Sequence, residues 1–364
     1  MSAEMKKISF ICGSKQNDGI YRGGLALFES LRESGYEINW YQCTDRDKDR
    51  EFPSHFHLVR GTYAFNKNFS MGFNRLLVFP RKLKNIRGDI LFLLDPTLLG
   101  ILGRHTTTVV KVHDLRALTK YSDNPWTRLM FMRIIPKLKH IDHIIVTTKY
   151  MRGMLENFGI ASSKIHVLYD TSPLVGNGSE HIDISLKRIT EEREVRILYV
   201  ATDRDYKNIK FFINVAKNLE TSNRQCEFRF DIVSVLRDST KKLLDGLPDG
   251  LIQVHSNVRD VSKIYESADV MLFPSLYEGF GLPVIEAMSF GIPVIANDIP
   301  PLREILGEGG TLIGVNRMDD WIKAVIDLSN PTNYKVEALK SLNRFVVFSK
   351  ERFKSNALSI FQEL

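Results

Sequence analysis

Short apolar runs recur along this chain, set apart by stretches with helical spacing. Lys7 to Gly13, Ile38 to Tyr41, Ile90 to Leu94, Thr108 to Val112, Asp142 to Thr148 and Ser163 to Asp170 read as strands. A loop with Gly13, Gly19, Gly23 and Gly24 follows the first strand, and a helix is predicted from Gly24 to Ser34, stopped by Gly35. Phe73 to Ile86 reads as a helix interrupted at Pro80, and Lys149 to Phe158 as one closed by Gly159. Strand, Gly-rich loop, helix, strand is how a doubly wound parallel sheet opens. Residues 172–193 are polar, with Pro173, Gly176 and Gly178, and read as a linker. The pattern then starts again. Val195 to Ala201, Glu227 to Val235, Leu251 to Val254, Val270 to Phe273, Pro293 to Ala296 and Gly310 to Ile313 are the strands of a second half, with helices predicted at Ile209 to Glu220, Val261 to Ser267, Leu302 to Leu306 and Met318 to Ser329.

One stretch of the second half carries more chemistry than the rest. Val270-Met-Leu-Phe273 is a buried strand, Pro274 to Leu282 a loop, and Pro283 to Phe290 a short helix. Pro283 suits the first helical position, where its missing N–H is no loss, and Gly291 suits the left-handed stop. Glu278 lies in the loop and Glu286 in the first turns of the helix. Between them Gly279-Phe280-Gly281 exposes backbone N–H groups ahead of a helix N-terminus. Carboxylates accept hydrogen bonds from sugar hydroxyls, and a helix start favours phosphate oxygens, so the stretch suits a polyhydroxylated, anionic ligand. A second anion site is predicted in the loop after Val195 to Ala201. Arg204 and Lys207 stand there ahead of a helix N-terminus.

Glu278-Gly-Phe-Gly-Leu-Pro-Val-Ile-Glu286 resembles the Glu-x7-Glu signature of the retaining glycosyltransferases of family 4, and Pro274-Ser275 and Gly291-Ile-Pro293-Val-Ile-Ala fit the same pattern. The resemblance implies an α/β GT-B fold, two Rossmann-like domains facing across a cleft. It implies boundaries at 1–172 for an acceptor-side domain, 173–194 for a linker and 195–344 for a nucleotide-sugar domain. Residues 345–364 would be a final helix packing back on the first domain. By the same resemblance Glu278 holds donor-sugar hydroxyls and Glu286 the ribose hydroxyls. The backbone of Gly279, Phe280, Gly281 and Leu282 serves the diphosphate, and Asn257-Val258 runs alongside the base. Lys207 matches a cation that neutralises the leaving diphosphate. Many members place Gly-Arg directly after the strand, where this chain has Ala201-Thr202, so Arg204 is the candidate replacement. Asn17-Asp18-Gly19-Ile20 resembles the loop beside the diphosphate. Val112-His113-Asp114 resembles the strand end whose histidine faces the transferred sugar.

Charge changes the picture in one respect. The net charge is +7, but residues 52–152 alone hold 17 Lys and Arg against 5 Asp and Glu. A basic first half asks for an anionic partner: a phosphorylated or lipid-linked acceptor, or an anionic membrane surface. The segment Ser122 to His140 reads in two ways. Trp126, Met130, Phe131, Ile134 and Leu138 make an apolar stripe flanked by Arg128, Arg133, Lys137 and Lys139, which suits either a membrane-surface helix or a core-packed helix with a basic rim. No apolar run is long enough to span a bilayer, and Met1 to Cys12 lacks a signal-peptide core. Cys12, Cys43 and Cys226 are odd in number and far apart, which argues against a disulfide framework and for a reducing, cytoplasmic setting.

The expectation is therefore a transferase that moves a sugar from a nucleotide-sugar donor to an acceptor hydroxyl with retention, with no metal and no further cofactor. No His/Cys cluster with the spacing of a metal site is seen. Nucleic acid is not expected as a partner, since the carboxylate pair would repel a phosphate backbone and no recognition motif is seen. Alternatives are a catalytically silent sugar-nucleotide-binding subunit and another reaction on the same fold, such as epimerisation.

Overall fold

The computed structural model describes residues 6–14, 18–44, 55–62, 73–101, 104–122, 125–222 and 226–364. Asn17 of the loop beside the first helix, and residues 45–54 and 63–72, lie outside them. The chain divides into two units, 1–171 with 350–364, and 172–349.

The first unit is built on seven parallel strands: β1 (Lys7–Cys12), β2 (Glu37–Thr44), β3 (Phe56–Arg60), β4 (Arg87–Leu93), β5 (Arg104–Val112), β6 (His143–Val146) and β7 (Ile165–Val167), in the order β3-β2-β1-β4-β5-β6-β7. The order reverses between β1 and β4, where Ile8 to Ile11 pair with Ile90 to Leu93. Strands buried on both faces must be apolar throughout, and Ile8, Phe10, Ile90 and Phe92 are all at most 1% exposed. The first helix runs Gly19–Glu33, five residues earlier than its spacing predicts, because Asp18 caps it by accepting the Ile20 N–H at 2.8 Å. Gly24 therefore lies inside the helix. Its packing explains the residue: a Cβ there would come within 2.6 Å of the Leu94 side chain.

The helix Lys350–Glu363 belongs to this unit. Phe353, Ala357 and Phe361 enter the same apolar cluster as Phe10 and Phe92, and Phe361 stacks on Phe92 at 5.8 Å. Lys354 reaches Glu33 at 2.8 Å. The helix begins at Lys350 rather than at Phe345. A separate helix, Pro331–Phe345, precedes it in the second unit and is not signalled by the apolar pattern.

The second unit has six parallel strands: β8 (Glu194–Val200), β9 (Glu227–Val233), β10 (Ile252–His255), β11 (Val270–Phe273), β12 (Val294–Asn297) and β13 (Thr311–Ile313), ordered β10-β9-β8-β11-β12-β13. It is wound as the first unit is, and its order reverses between β8 and β11. The stretch read as a linker, 173–194, is mostly structured. It forms a helix, Gly178–Lys187, and a π-helical turn, Arg188–Glu192. Ile182 and Ile189 pack into the apolar cluster that holds Val195 and Ile197, and Arg188 pairs with the buried Asp269 at 2.7 Å. These buried contacts fix the segment onto the sheet, which the two glycines at its start conceal.

Candidate functional site

In a doubly wound sheet the carboxyl ends of the strands at the order reversal leave a crevice where ligands bind. In the second unit those ends are the loop after β8 and the loop after β11. The first turns once at Asp205–Lys207, and Asn208, in the left-handed region at φ 57°, starts the helix Ile209–Ser222. The two loops are stitched together. The Leu276 N–H donates to the Tyr206 carbonyl at 2.7 Å, and the Asn208 side-chain amide to the Pro274 carbonyl at 3.3 Å. Tyr199 donates its hydroxyl to the Lys207 carbonyl at 3.1 Å. Lys207 Nζ lies 2.6 Å from Glu278 Oε1, with both side chains mostly buried. The ammonium also sits 5.7 Å from the centre of the Phe273 ring and 5.4 Å from that of Tyr206.

Gly279, Phe280 and Gly281 lead from Glu278 into the helix Leu282–Ser289. Gly281 caps it at φ 111°, a conformation that favours glycine. Pro283 stands in the first turn, and the Phe280 ring packs against Phe348 at 5.8 Å, so the residue presents backbone and not side chain. Glu286 is buried one turn on. Its Oε1 accepts from the Ser172 hydroxyl at 2.8 Å and its Oε2 from the Tyr265 hydroxyl at 2.9 Å. Tyr265 is stacked on Phe290 at 5.5 Å. Ser172 and Tyr265 were not signalled by sequence, since each is an ordinary residue until the fold brings it to Glu286.

Lys207, Glu278, Gly279, Phe280, Gly281, Leu282 and Glu286 are thus gathered at one reversal. Arg204 lies in the same loop as Lys207, but its side chain is exposed. Its neighbour Asp203 is taken by a different arginine: Arg237, after β9, donates its backbone N–H at 2.7 Å and its guanidinium at 3.0 Å, and pairs with Asp205 at 2.6 Å. Burial alone would raise the Asp203 carboxyl, but these bonds from Arg237 hold it below the ordinary aspartate value. Asn257, at φ 56°, and Val258 follow β10, two strands away from β8, and are exposed.

In the first unit Gly19 opens the helix beside β1, and His113 follows β5. Lys111, two residues before it, is fully buried and pairs with Asp170 at 2.5 Å. A lysine inside Val109-Val-Lys-Val112 is the one sequence signal for this pair. Burial, aided by the Lys111 charge, pushes the His113 imidazole well below its ordinary value. At the β1–β4 reversal Arg75 binds Asp95 at 3.1 Å, Thr97, and the Gly13 carbonyl at 3.3 Å.

Residues 18–170 match the family described as Glycosyltransferase Family 4, and residues 194–330 match glycosyl transferases group 1. The chain belongs to these glycosyltransferases. It is 28% identical over 230 residues to an uncharacterised 41.2 kDa protein in the cps region of Klebsiella pneumoniae, covering 60% of this chain and 62% of that one. To the O-antigen chain mannosyltransferase RfbU of Salmonella typhimurium it is 26% identical over 243 residues, 65% of this chain and 64% of the relative. The matched stretch spans less than two-thirds of either relative's length. In fold the glycosyltransferase resembles Anabaena Alr3699/HepE in complex with UDP and glucose, with a TM-score of 0.75 at 14% identity, across 99% of this chain and 100% of that one. The fold is GT-B, with two Rossmann-like units. Among the described residues no helix is long and apolar enough to cross a membrane.

The helix Pro125–Leu138 decides between the two readings of that segment only in part. Ile134, Ile135 and Leu138 are buried, and Met130 and Phe131 pack on the core. Trp126 is 77% exposed, with Leu129 and Met132 also exposed beside Arg128 and Arg133. The predicted stripe is core-facing except for its tryptophan.

Proposed function

We propose that this chain is a retaining, metal-independent glycosyltransferase that moves a sugar from a nucleoside-diphosphate donor to an acceptor hydroxyl in polysaccharide or glycolipid assembly. The observation that carries the reading is the Lys207–Glu278 pair, held at the β8–β11 reversal directly ahead of the helix start at Gly281–Leu282. Without ligand the two side chains partner each other. With donor bound, Lys207 and the Gly279 to Leu282 amides face the diphosphate, Glu278 accepts from sugar hydroxyls, and Glu286 accepts from the ribose. Arg204 adds a second cation. The Asn257-Val258 backbone runs beside the base. Departure of the diphosphate builds negative charge, and a preorganised cation contributes about 3 kcal/mol to lowering that barrier. The acceptor hydroxyl attacks on the face the diphosphate leaves, and a leaving phosphate oxygen takes its proton. His113 serves the transferred sugar.

Several relatives are named mannosyltransferases, which supports mannose as the donor sugar. The basic first half supports an anionic or lipid-linked acceptor. The exposed Trp126, Leu129 and Met132, rimmed by Arg128, Arg133 and Lys137, support a peripheral seat on an anionic membrane at its cytoplasmic face.

The test is calorimetry with UDP, GDP, dTDP and ADP in EDTA, followed by the sugar nucleotides of whichever base binds. One saturable nucleotide, weakened by Glu286→Ala and Lys207→Ala, is the expected result. No binding with or without added metal removes the transferase reading, and binding with no transfer to any acceptor leaves a sugar-nucleotide-binding subunit.

A further inference from the structure

A buried lysine in a central strand needs a reason. Lys111 is 0% exposed in the middle of β5, and taking an ammonium out of water is costly unless it is paired. Its partner is Asp170, which follows β7 and is 3% exposed. The helix Gly19–Glu33 closes over the pair at Gly23, where a Cβ would stand 3.0 Å from Asp170 Oδ1 and 3.4 Å from Lys111 Nζ. The absence of a side chain at Gly23 is what lets that helix lie against the ion pair. A lysine that served packing alone would be better replaced by an apolar residue.

The third member of the group is His113. Asp170 uses Oδ1 for Lys111 and turns Oδ2 toward His113 Nδ1 at 3.9 Å. The ring also makes a backbone hydrogen bond at Leu94. Its Nε2 is buried and has no hydrogen-bond partner among the described residues. A buried polar atom without a partner is uncommon in native structures and points to a group that comes from elsewhere.

We propose that Lys111 and Asp170 are positioning residues for His113, fixing its ring with the hydrogen on Nδ1 and leaving Nε2 as an open acceptor for a hydroxyl of the sugar substrate. With Nε2 unpartnered, the backbone bond at Leu94 comes from Nδ1 and sets that tautomer, and the Asp170 carboxylate on the same side, 3.9 Å away, favours the hydrogen there. The ammonium bound to the same carboxylate cancels its charge, so Asp170 orients the ring without drawing a second proton onto it. Burial and the Lys111 charge both lower the His113 imidazole, which agrees with a ring that accepts. The charged groups acting on it are Lys111 from its own strand and Asp170 from the segment after β7. The helix Gly19–Glu33 meets the pair at Gly23. The role assigned to Nε2 rests on the transferase reading above, whereas the state of the ring does not.

The pair is tested by removing half of it. In Lys111→Met the Asp170 carboxylate stands uncompensated beside His113, and the ring gains a proton near neutral pH. The imidazolium then has no lone pair at Nε2. Turnover is expected to fall at least tenfold at pH 7 and to recover as pH rises toward 9, with kcat affected more than donor KM. In Lys111→Met/Asp170→Asn the charge is balanced again, and the pH profile returns toward that of the wild type. Imidazole nitrogen shifts of uniformly labelled wild-type protein, with His113 assigned through His113→Asn, give a readout that needs neither turnover nor a folded Lys111 variant. The expected result is the Nδ1–H tautomer with no protonation between pH 6 and 8. A cationic ring or an Nε2–H tautomer in the wild type overturns the proposal, as does a folded Lys111→Met with an unchanged pH profile. A protein that shows the expected tautomer but transfers no sugar loses the function proposed above and the role of Nε2 with it, and keeps only the fixing of the ring.

Discussion

Lys207 and Glu278 are 71 residues apart in the chain, yet their charged ends meet at 2.6 Å. The reversal of strand order between β8 and β11 puts the two loops side by side. Lys207→Met is expected to lower kcat by about 100- to 1000-fold, with a smaller loss of nucleotide affinity. It also leaves Glu278 buried without its partner, which destabilises by about 3–5 kcal/mol. Adding Glu278→Gln restores the melting temperature but not turnover. Wild-type turnover in a folded Lys207→Met would remove the lysine from the chemistry.

Glu286 carries two hydroxyl donors in this structure, Ser172 and Tyr265. Glu286→Ala removes the carboxylate and orphans both, so affinity for the nucleoside diphosphate and stability fall together. Tyr265→Phe separates the effects. It takes away one donor and keeps the carboxylate, so stability drops by about 1 kcal/mol while nucleotide affinity changes less than in Glu286→Ala. Calorimetry and urea unfolding on the same two samples check this.

The two arginines of the loop region divide the work differently from what their spacing suggests. Arg237 is bound to Asp203 and Asp205, whereas Arg204 is exposed. Arg204→Ala is expected to lower turnover about tenfold or more and to leave stability within about 0.5 kcal/mol. Arg237→Ala strips the guanidinium from the buried Asp203 and shows mainly as a lower melting temperature. If Arg237→Ala lowers turnover at unchanged stability, the roles are reversed.

His181, in the second unit, is buried, and burial together with the Arg188 charge lowers its pKa to about 4. An unfolded histidine titrates near 6.5, so the unfolded chain takes the proton first as pH falls. Stability is then lost progressively between about pH 7 and pH 4, by about 3 kcal/mol from this residue. Chemical unfolding at pH 7 and at pH 4.5 should show a smaller pH-dependent loss in His181→Asn than in the wild type.

Trp40 and Trp321 are fully buried, while Trp126 is 77% exposed. A blue shift of tryptophan emission on adding anionic vesicles therefore reports on Trp126. Neutralising Arg128, Arg133, Lys137 and Lys139 should weaken vesicle binding by more than 100-fold, at about 1 kcal/mol per charge. Equal binding by neutral vesicles, or no binding, ends the membrane proposal.

The strands at both reversals and the Glu278–Glu286 stretch were legible because buried parallel strands are apolar runs, and because glycine, proline and glutamate each answer a local backbone or charge requirement. What escaped notice depends on partners distant in sequence. The helix Gly178–Lys187 follows a stretch rich in breakers, and only its packing under Val195 and Ile197 makes it stable. Lys111 was visible as a charge in an apolar strand, but nothing local names Asp170, 59 residues on, as its partner. Trp126 reads as part of the stripe that holds Ile134 and Leu138, and the core stops short of it.

The placement of the helix Lys350–Glu363 governs the order in which the molecule is made. The second unit is one unbroken segment, 172–349, while the first is assembled from residues 1–171 and 350–364. On a ribosome the second unit has its whole sequence before the first has its own, since Phe353, Ala357 and Phe361 emerge after it. The apolar cluster around Phe10 and Phe92, translated early, waits incomplete for that interval, without Phe353, Ala357 and Phe361, when aggregation competes with folding. A cell that shields nascent chains over that interval should recover more folded protein from the same synthesis, and one that stalls just before residue 350 should recover less.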